Sequence, residues 1–318
     1  MDRTRGRLPA PMPVAVNLAP AVPAATTARR LFQVASIAAL CVALALLGGC
    51  SALRLGYHQA DWVAFRWLDN YADFDDAQAA RVREALKSWF AWHRRTQLAD
   101  YAEFLMRVDA EVPADTSAER VCALWGEVRT RIDRSVAQAL PAIADIGRTL
   151  KPAQLAHIEQ RYAKTEAEFR EEYMQKDLAD RRGDAVERVV DRAESFYGDL
   201  AAQQKERLER WVAESPFDPG MSLAERRRRQ QDALQTLRRV IVEPDSAAGR
   251  SQIQAWIERF GRSPREAHRL YAERVLQHNC RLTADLHNRA TAAQRQYLSK
   301  KLRGWAADLR ALANETVD

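Results

Sequence analysis

The chain has 318 residues, 47% of them hydrophobic, with a formal net charge of +6. Ordinary apolar content and eight tryptophans exclude a disordered chain, which would lack the side chains to bury a core. The basic balance is no case for nucleic acid, because Arg3, Arg5, Arg7, Arg29 and Arg30 stand against Asp2 before residue 50, and without them the remainder carries only +2.

In chain order, Arg29-Arg30 precede an apolar run from Leu31 to Leu47, which closes on Leu47-Gly48-Gly49-Cys50. A positive start, an apolar middle and small residues before a cut are the marks of a secretory signal. The cysteine after two glycines resembles a bacterial lipobox, which implies cleavage before Cys50 and a lipid on it. Residues 1–49 are then the signal, and 50–318 one periplasmic domain, with a candidate sub-boundary near 214–222. The rival is a retained anchor helix, since Leu31 to Gly49 is about long enough to span a bilayer. Arg29-Arg30 also echo a twin-arginine signal, and Met12 or a later codon is an alternative start. Ser51, being other than Asp, favours the outer membrane by resemblance to the sorting rule of enteric lipoproteins.

From there apolar residues recur at helical spacing and strand alternation is absent, so the expected fold is all-α: an elongated bundle of long antiparallel helices with short connections. Trp62, Phe65, Leu68 and Tyr71 suit a first helix. Val82, Leu86, Trp89 and His93 continue a second, running on toward Val108. Leu124 to Val136 mark a third, with Pro141 as a kink or end. Leu155 to Tyr173 stripe a fourth reaching about Asp180, with Gly183 as a break. Shorter helices follow near 184–197 and 201–213, then a loop at Pro216 and Pro219-Gly220. Helices over roughly 222–243, 246–260, 264–289 and 291–314 complete the chain.

Four segments share a frame: Phe74 to Gln78, Leu150 to Gln154, Leu200 to Gln204 and Ala290 to Gln294. Each glutamine has an apolar residue four later (Val82, Ile158, Leu208, Leu298). The physical reading is a helix start, with Gln at the third helical position reaching back to the cap's N–H. Asp75 and Thr291 are good caps, Lys151 and Ala201 poor ones. Four similar starts and a true internal duplication both fit. The elements resemble the Leu-Thr-x-x-Gln motif of periplasmic stress proteins and chaperones. Tyr57, Asp61-Trp62, Leu68-Asp69, Tyr71 and the Gln78 element, soon after a lipobox, resemble a Gram-negative lipoprotein family of unknown function. That resemblance is firm over roughly 47–110 and looser beyond. It implies an all-helical, membrane-anchored periplasmic protein and carries no catalytic residues.

Sites of chemistry are few. Cys122 and Cys280 are left once Cys41 departs with the signal and Cys50 takes the lipid; they could form a disulfide or be two small buried hydrophobes. His278 and His287 fall on opposite faces of one helix, and Cys280 with His287 makes only two ligands, so no metal or cofactor is expected. Asp69, Asp73, Asp75 and Asp76 are explained by capping. Arg226, Arg227, Arg228 and Arg229 form the strongest basic run. Arg227 falls on the apolar stripe of Leu223, Leu234, Leu237 and Ile241, with Arg228-Arg229 pointing away; the alternatives are a solvated face or contact with an anionic lipid surface. Trp62, Phe65 and Tyr71 read as core, while Trp89, Phe90 and Trp92 point in several directions.

The expected protein is therefore a non-enzymatic lipoprotein on the periplasmic side of the outer membrane, a chaperone-like or protein-binding accessory. Its expected partners are the membrane, through Cys50, and envelope proteins, with no nucleic acid and the oligomeric state left open. A structural role bridging membrane components, and an enzyme acting on cell-wall or lipid substrates, are the alternatives.

Overall fold

Helical periodicity carries through to the fold, an all-α bundle. The structure, a computed structural model, describes residues 52–174 and 177–315, and these hold twelve α-helices and no strand. They are α1 (Ala52–His58), α2 (Ala60–Ala72), α3 (Asp76–Thr96), α4 (Leu98–Glu111), α5 (Ala118–Gly147), α6 (Pro152–Tyr173), α7 (Leu178–Tyr197), α8 (Ala202–Ala213), α9 (Pro219–Val242), α10 (Ser246–Gly261), α11 (Glu266–Asn288) and α12 (Ala292–Asn314). Ser51–Asp318 makes one compact unit, within which residues 214–218 merely join α8 to α9.

Several boundaries differ from the sequence reading. The long second helix is two, broken at Gln97, whose side chain is buried. Pro141 does not end α5, which runs on to Gly147. The missing N–H is offset by packing, since Ala144 is wholly buried against Val240 and Ile253. The fourth helix stops at Tyr173 because Asp177 starts a new one, its carboxylate accepting the Asp180 N–H at 2.9 Å. Gly183 then lies inside α7. Pro219 opens α9 instead of sitting in a loop, capped by Asp218.

The glutamine frame organises the bundle. At all four starts the glutamine Oε1 accepts the cap N–H: Asp75, Lys151, Ala201 and Thr291 donate at 3.1, 2.8, 3.0 and 3.0 Å. Asp75 and Thr291 return a side-chain bond, whereas at Lys151 and Ala201 the glutamine's own N–H uses the cap carbonyl. The glutamines then pair. Gln78 and Gln154 exchange amide bonds at 3.1 and 2.7 Å, and Gln204 and Gln294 at 2.9 and 3.0 Å. The second N–H of each amide donates to the carbonyl two residues before the partner's cap: Thr149, Asp73, Arg289 and Asp199. Each amide thereby uses both donors and both acceptor sites. Glutamate lacks the donors, and asparagine is one methylene short. Asp73 meets its role by taking a left-handed turn (φ 47°) at the end of α2.

The apolar residues four beyond each glutamine, Val82, Ile158, Leu208 and Leu298, are all buried. Ile158 joins Leu150, Leu155 and Leu234 around the first pair, and Leu208 and Leu298 join Tyr197, Leu200 and Leu302 around the second. The long α5 packs against α3, α9, α10 and α11, and α12 against α4 and α7. Gln78→Leu should cost about 2 kcal/mol, because it orphans the buried amide of Gln154 and half-buried groups on Thr149 and Asp75. Adding Gln154→Leu should cost clearly less than a second such loss, a coupling of roughly 1 kcal/mol in a double-mutant cycle of urea melts. Simple additivity would show that the pairing carries no weight.

Candidate functional site

Leu47, Gly48, Gly49 and Cys50 lie outside the described residues. Cys122 on α5 and Cys280 on α11 are brought together in a disulfide, with Cα atoms 5.6 Å apart. The arginine run is on α9, and there the structure corrects its expected orientation. Arg227 is exposed, while Arg228 and Arg229 are drawn inward. The cause is Glu225, whose side chain is only 4% exposed. Arg228 Nη2 and Arg229 Nε donate to Glu225 Oε1 at 2.9 and 3.2 Å, and Arg265 Nη2 to Oε2 at 2.6 Å. Burial by itself would raise the Glu225 carboxyl, but the bonds from Arg228 and Arg265, with the neighbouring His268 and Arg228 charges, hold it at about 2. Arg227 pairs with Glu166 at 2.8 Å, and Arg226 lies over the Phe169 ring at 5.0 Å. All four arginines therefore have partners within the fold.

This charged knot supports one wall of an open double cleft. One cleft, about 430 Å³, is lined by Arg229, Gly261, Arg262, Ser263, His268 and Arg269 among others. The other, about 530 Å³, is lined by Pro216, Arg274, His278 and Arg281 with Glu214 and Gln277. Leu270 and Glu273 belong to both, and Leu270 is half exposed between them. Phe260 stands beside Arg229, its ring 4.7 Å from the guanidinium. Arginines outnumber carboxylates along the lining, so the double cleft suits an extended segment that mixes apolar and acidic side chains.

Several other polar groups bond within the fold. His93 lies 3.0 Å from the Tyr57 hydroxyl and stacks on Trp89. Burial pushes His93 down to about 4 and Tyr57 up to about 12. His278 Nε2 donates to the Trp211 carbonyl, and His287 Nε2 to that of Ala114, which leaves His287 Nδ1 to accept from Tyr197. Asp75 caps α3 and pairs with Lys151, and Asp69 accepts the Phe74 N–H. No group of three or more His, Cys, Asp or Glu side chains among the described residues is arranged to hold a metal ion. Of the aromatics expected in the core, Phe65 is buried but Trp62 is 60% exposed. Helical spacing places them on adjacent flanks of α2, and only one flank meets α3.

Glu225 and Leu270 were not singled out from sequence. Arginines three and four residues after a glutamate are a readable helix-face signal. Nothing local said that this glutamate is buried, or that a cleft opens beside Leu270.

A family model described as a family of unknown function (DUF6279) matches residues 70–244, more than half of the chain. It starts past Tyr57 and Asp61-Trp62 and contains the whole Gln78–Gln154 junction and Gln204, but not Gln294. No curated protein and no solved structure matches the chain.

Proposed function

Because the chain belongs to the DUF6279 family, which prescribes no activity, we propose its function from its own residues: a lipid-anchored periplasmic lipoprotein that serves as a non-enzymatic, chaperone-like accessory for envelope proteins. Support for the anchor is Leu47-Gly48-Gly49-Cys50 behind a charged, apolar leader. The Cys122–Cys280 disulfide supports an oxidising compartment, because such bonds rarely persist against cytosolic reductants. The observation that carries the binding role is the double cleft around Leu270, open, basic and edged by exposed Phe260. Clients would be unfolded or extended segments bearing apolar and acidic side chains.

The bridging alternative has less to stand on, since Arg226 to Arg229 are already engaged by Phe169, Glu166, Glu225 and Phe260. Reversing Arg228 or Arg229 would disturb Glu225, so a fair test of bridging alters only Arg226 and Arg227.

Two measurements test the proposal. Cys50→Ala should abolish incorporation of a palmitate analogue and shift the protein from the membrane pellet to the soluble fraction; labelling that persists in the variant would refute the anchor. In-cell crosslinking with mass spectrometry should capture many unrelated envelope proteins, and Leu270→Asp should cut that catch several-fold. An undiminished catch would move the binding surface away from the cleft, and one reproducible partner would favour an assembly role.

A further inference from the structure

The exposed flank of α2 carries two tryptophans and a valine. Trp62 and Trp67 are each 60% exposed and Val63 53%. With Arg66 and Asn70, also exposed, they follow one another at three- and four-residue spacing and so share one side of the helix. The opposite side carries Phe65 and Ala72, both buried, with Leu68 packed beside Phe65. Just upstream, Leu55 on α1 is 63% exposed. A contiguous exposed apolar patch marks a surface that something covers.

We infer that this flank of α2 rests on the bilayer surface, with Trp62, Val63 and Trp67 set into the headgroup region and Arg66 on lipid phosphates. The inference rests on the proposed lipidation of Cys50. Three observations select a lipid occupant. Ala52, where α1 starts, is two residues past Cys50, so chain reach keeps Trp62 within roughly 25 Å of an acyl chain there. Tryptophan is the side chain best suited to the interface, its ring apolar and its N–H free for headgroup oxygens. Arg66 has no carboxylate partner among the described residues and is free for phosphate, whereas Asp61 and Asp69 are occupied by the N–H groups of Trp62 and Phe74. An interfacial helix face adds a contact to that of the lipid on Cys50. It would also fix how the body is presented, leaving the cleft at Leu270 to address clients.

The test uses the full-length protein, processed by the cell, purified from membranes and reconstituted into phosphatidylcholine–phosphatidylglycerol vesicles whose acyl chains carry bromine. Bromine quenches only tryptophans in contact with lipid. Trp62→Phe with Trp67→Phe should lower the quenched fraction by roughly twofold or more, while Trp125→Phe, which alters another exposed tryptophan on α5, should leave it unchanged. Equal quenching in the double variant and the wild type overturns the inference. So does a flank shielded from lipid because a second copy, or an uncleaved Leu31–Leu47 segment, covers it; mass and crosslinking at position 67 identify which. The mass of the Cys50 peptide reports lipidation separately. A lipidated chain with unquenched Trp62 and Trp67 defeats this inference alone. An unlipidated Cys50 defeats the anchor, and quenching still decides the face.

Discussion

Glu225→Gln should destabilise the folded chain by about 3–5 kcal/mol at neutral pH, because it removes the buried counter-charge of Arg228, Arg229 and Arg265 together. The three guanidiniums come from α9 and from the residue that precedes α11, so the loss would loosen the cleft wall as well as α9. The effect should depend on pH in a stated direction. The folded carboxyl titrates at about 2, below the ordinary 4.5. Its contribution is therefore complete above about 4.5 and is lost as pH falls from there toward 2. The difference amounts to about 3 kcal/mol. Urea melts of wild type and Glu225→Gln, compared from neutral pH down to about 2, should show the gap closing through the acid limb. A gap that is independent of pH would mean that Glu225 is not the group holding the arginines.

Reducing Cys122–Cys280 should cost about 2–4 kcal/mol, with about 5 as the chain-entropy ceiling for a loop closed across 158 residues. The bond joins α5 to α11 and so ties the long central helix to the part of the fold that carries the cleft. Wild type should melt several degrees lower with a thiol reductant present. Cys122→Ser with Cys280→Ser should melt at the reduced wild-type temperature and be indifferent to reductant. If reductant leaves the wild-type melt in place although free thiols appear, the cross-link is thermodynamically idle. A cytosolic form of the chain should show the reduced behaviour, which ties the measurement to the proposed compartment.

How much of this was legible in advance divides by range. Helix starts were readable because a cap, a first-turn residue and a glutamine at the third helical position lie within a few residues and answer to local geometry alone. Helix ends were read less well. Pro141 was read as a kink or an end, and the helix does not end there, since burial of Ala144 outweighs one lost hydrogen bond. Gly183 looked like a break, but an aspartate cap six residues earlier decided the matter.

The sequence by itself determined the all-α class, the four glutamine starts and the apolar residues that follow each of them into the core. It also carries the lipobox-like Leu47-Gly48-Gly49-Cys50, which needs no fold to be read. Only the tertiary structure decided that the four glutamines form two reciprocal pairs, with partners 76 and 90 residues apart. It alone turned Arg228 and Arg229 inward, left Trp62 outside, and opened a cleft beside Leu270. Periodicity tells which residues share a helix face. Whether that face meets another helix, a buried carboxylate or open space depends on elements far away in the chain, and local spacing holds no record of them.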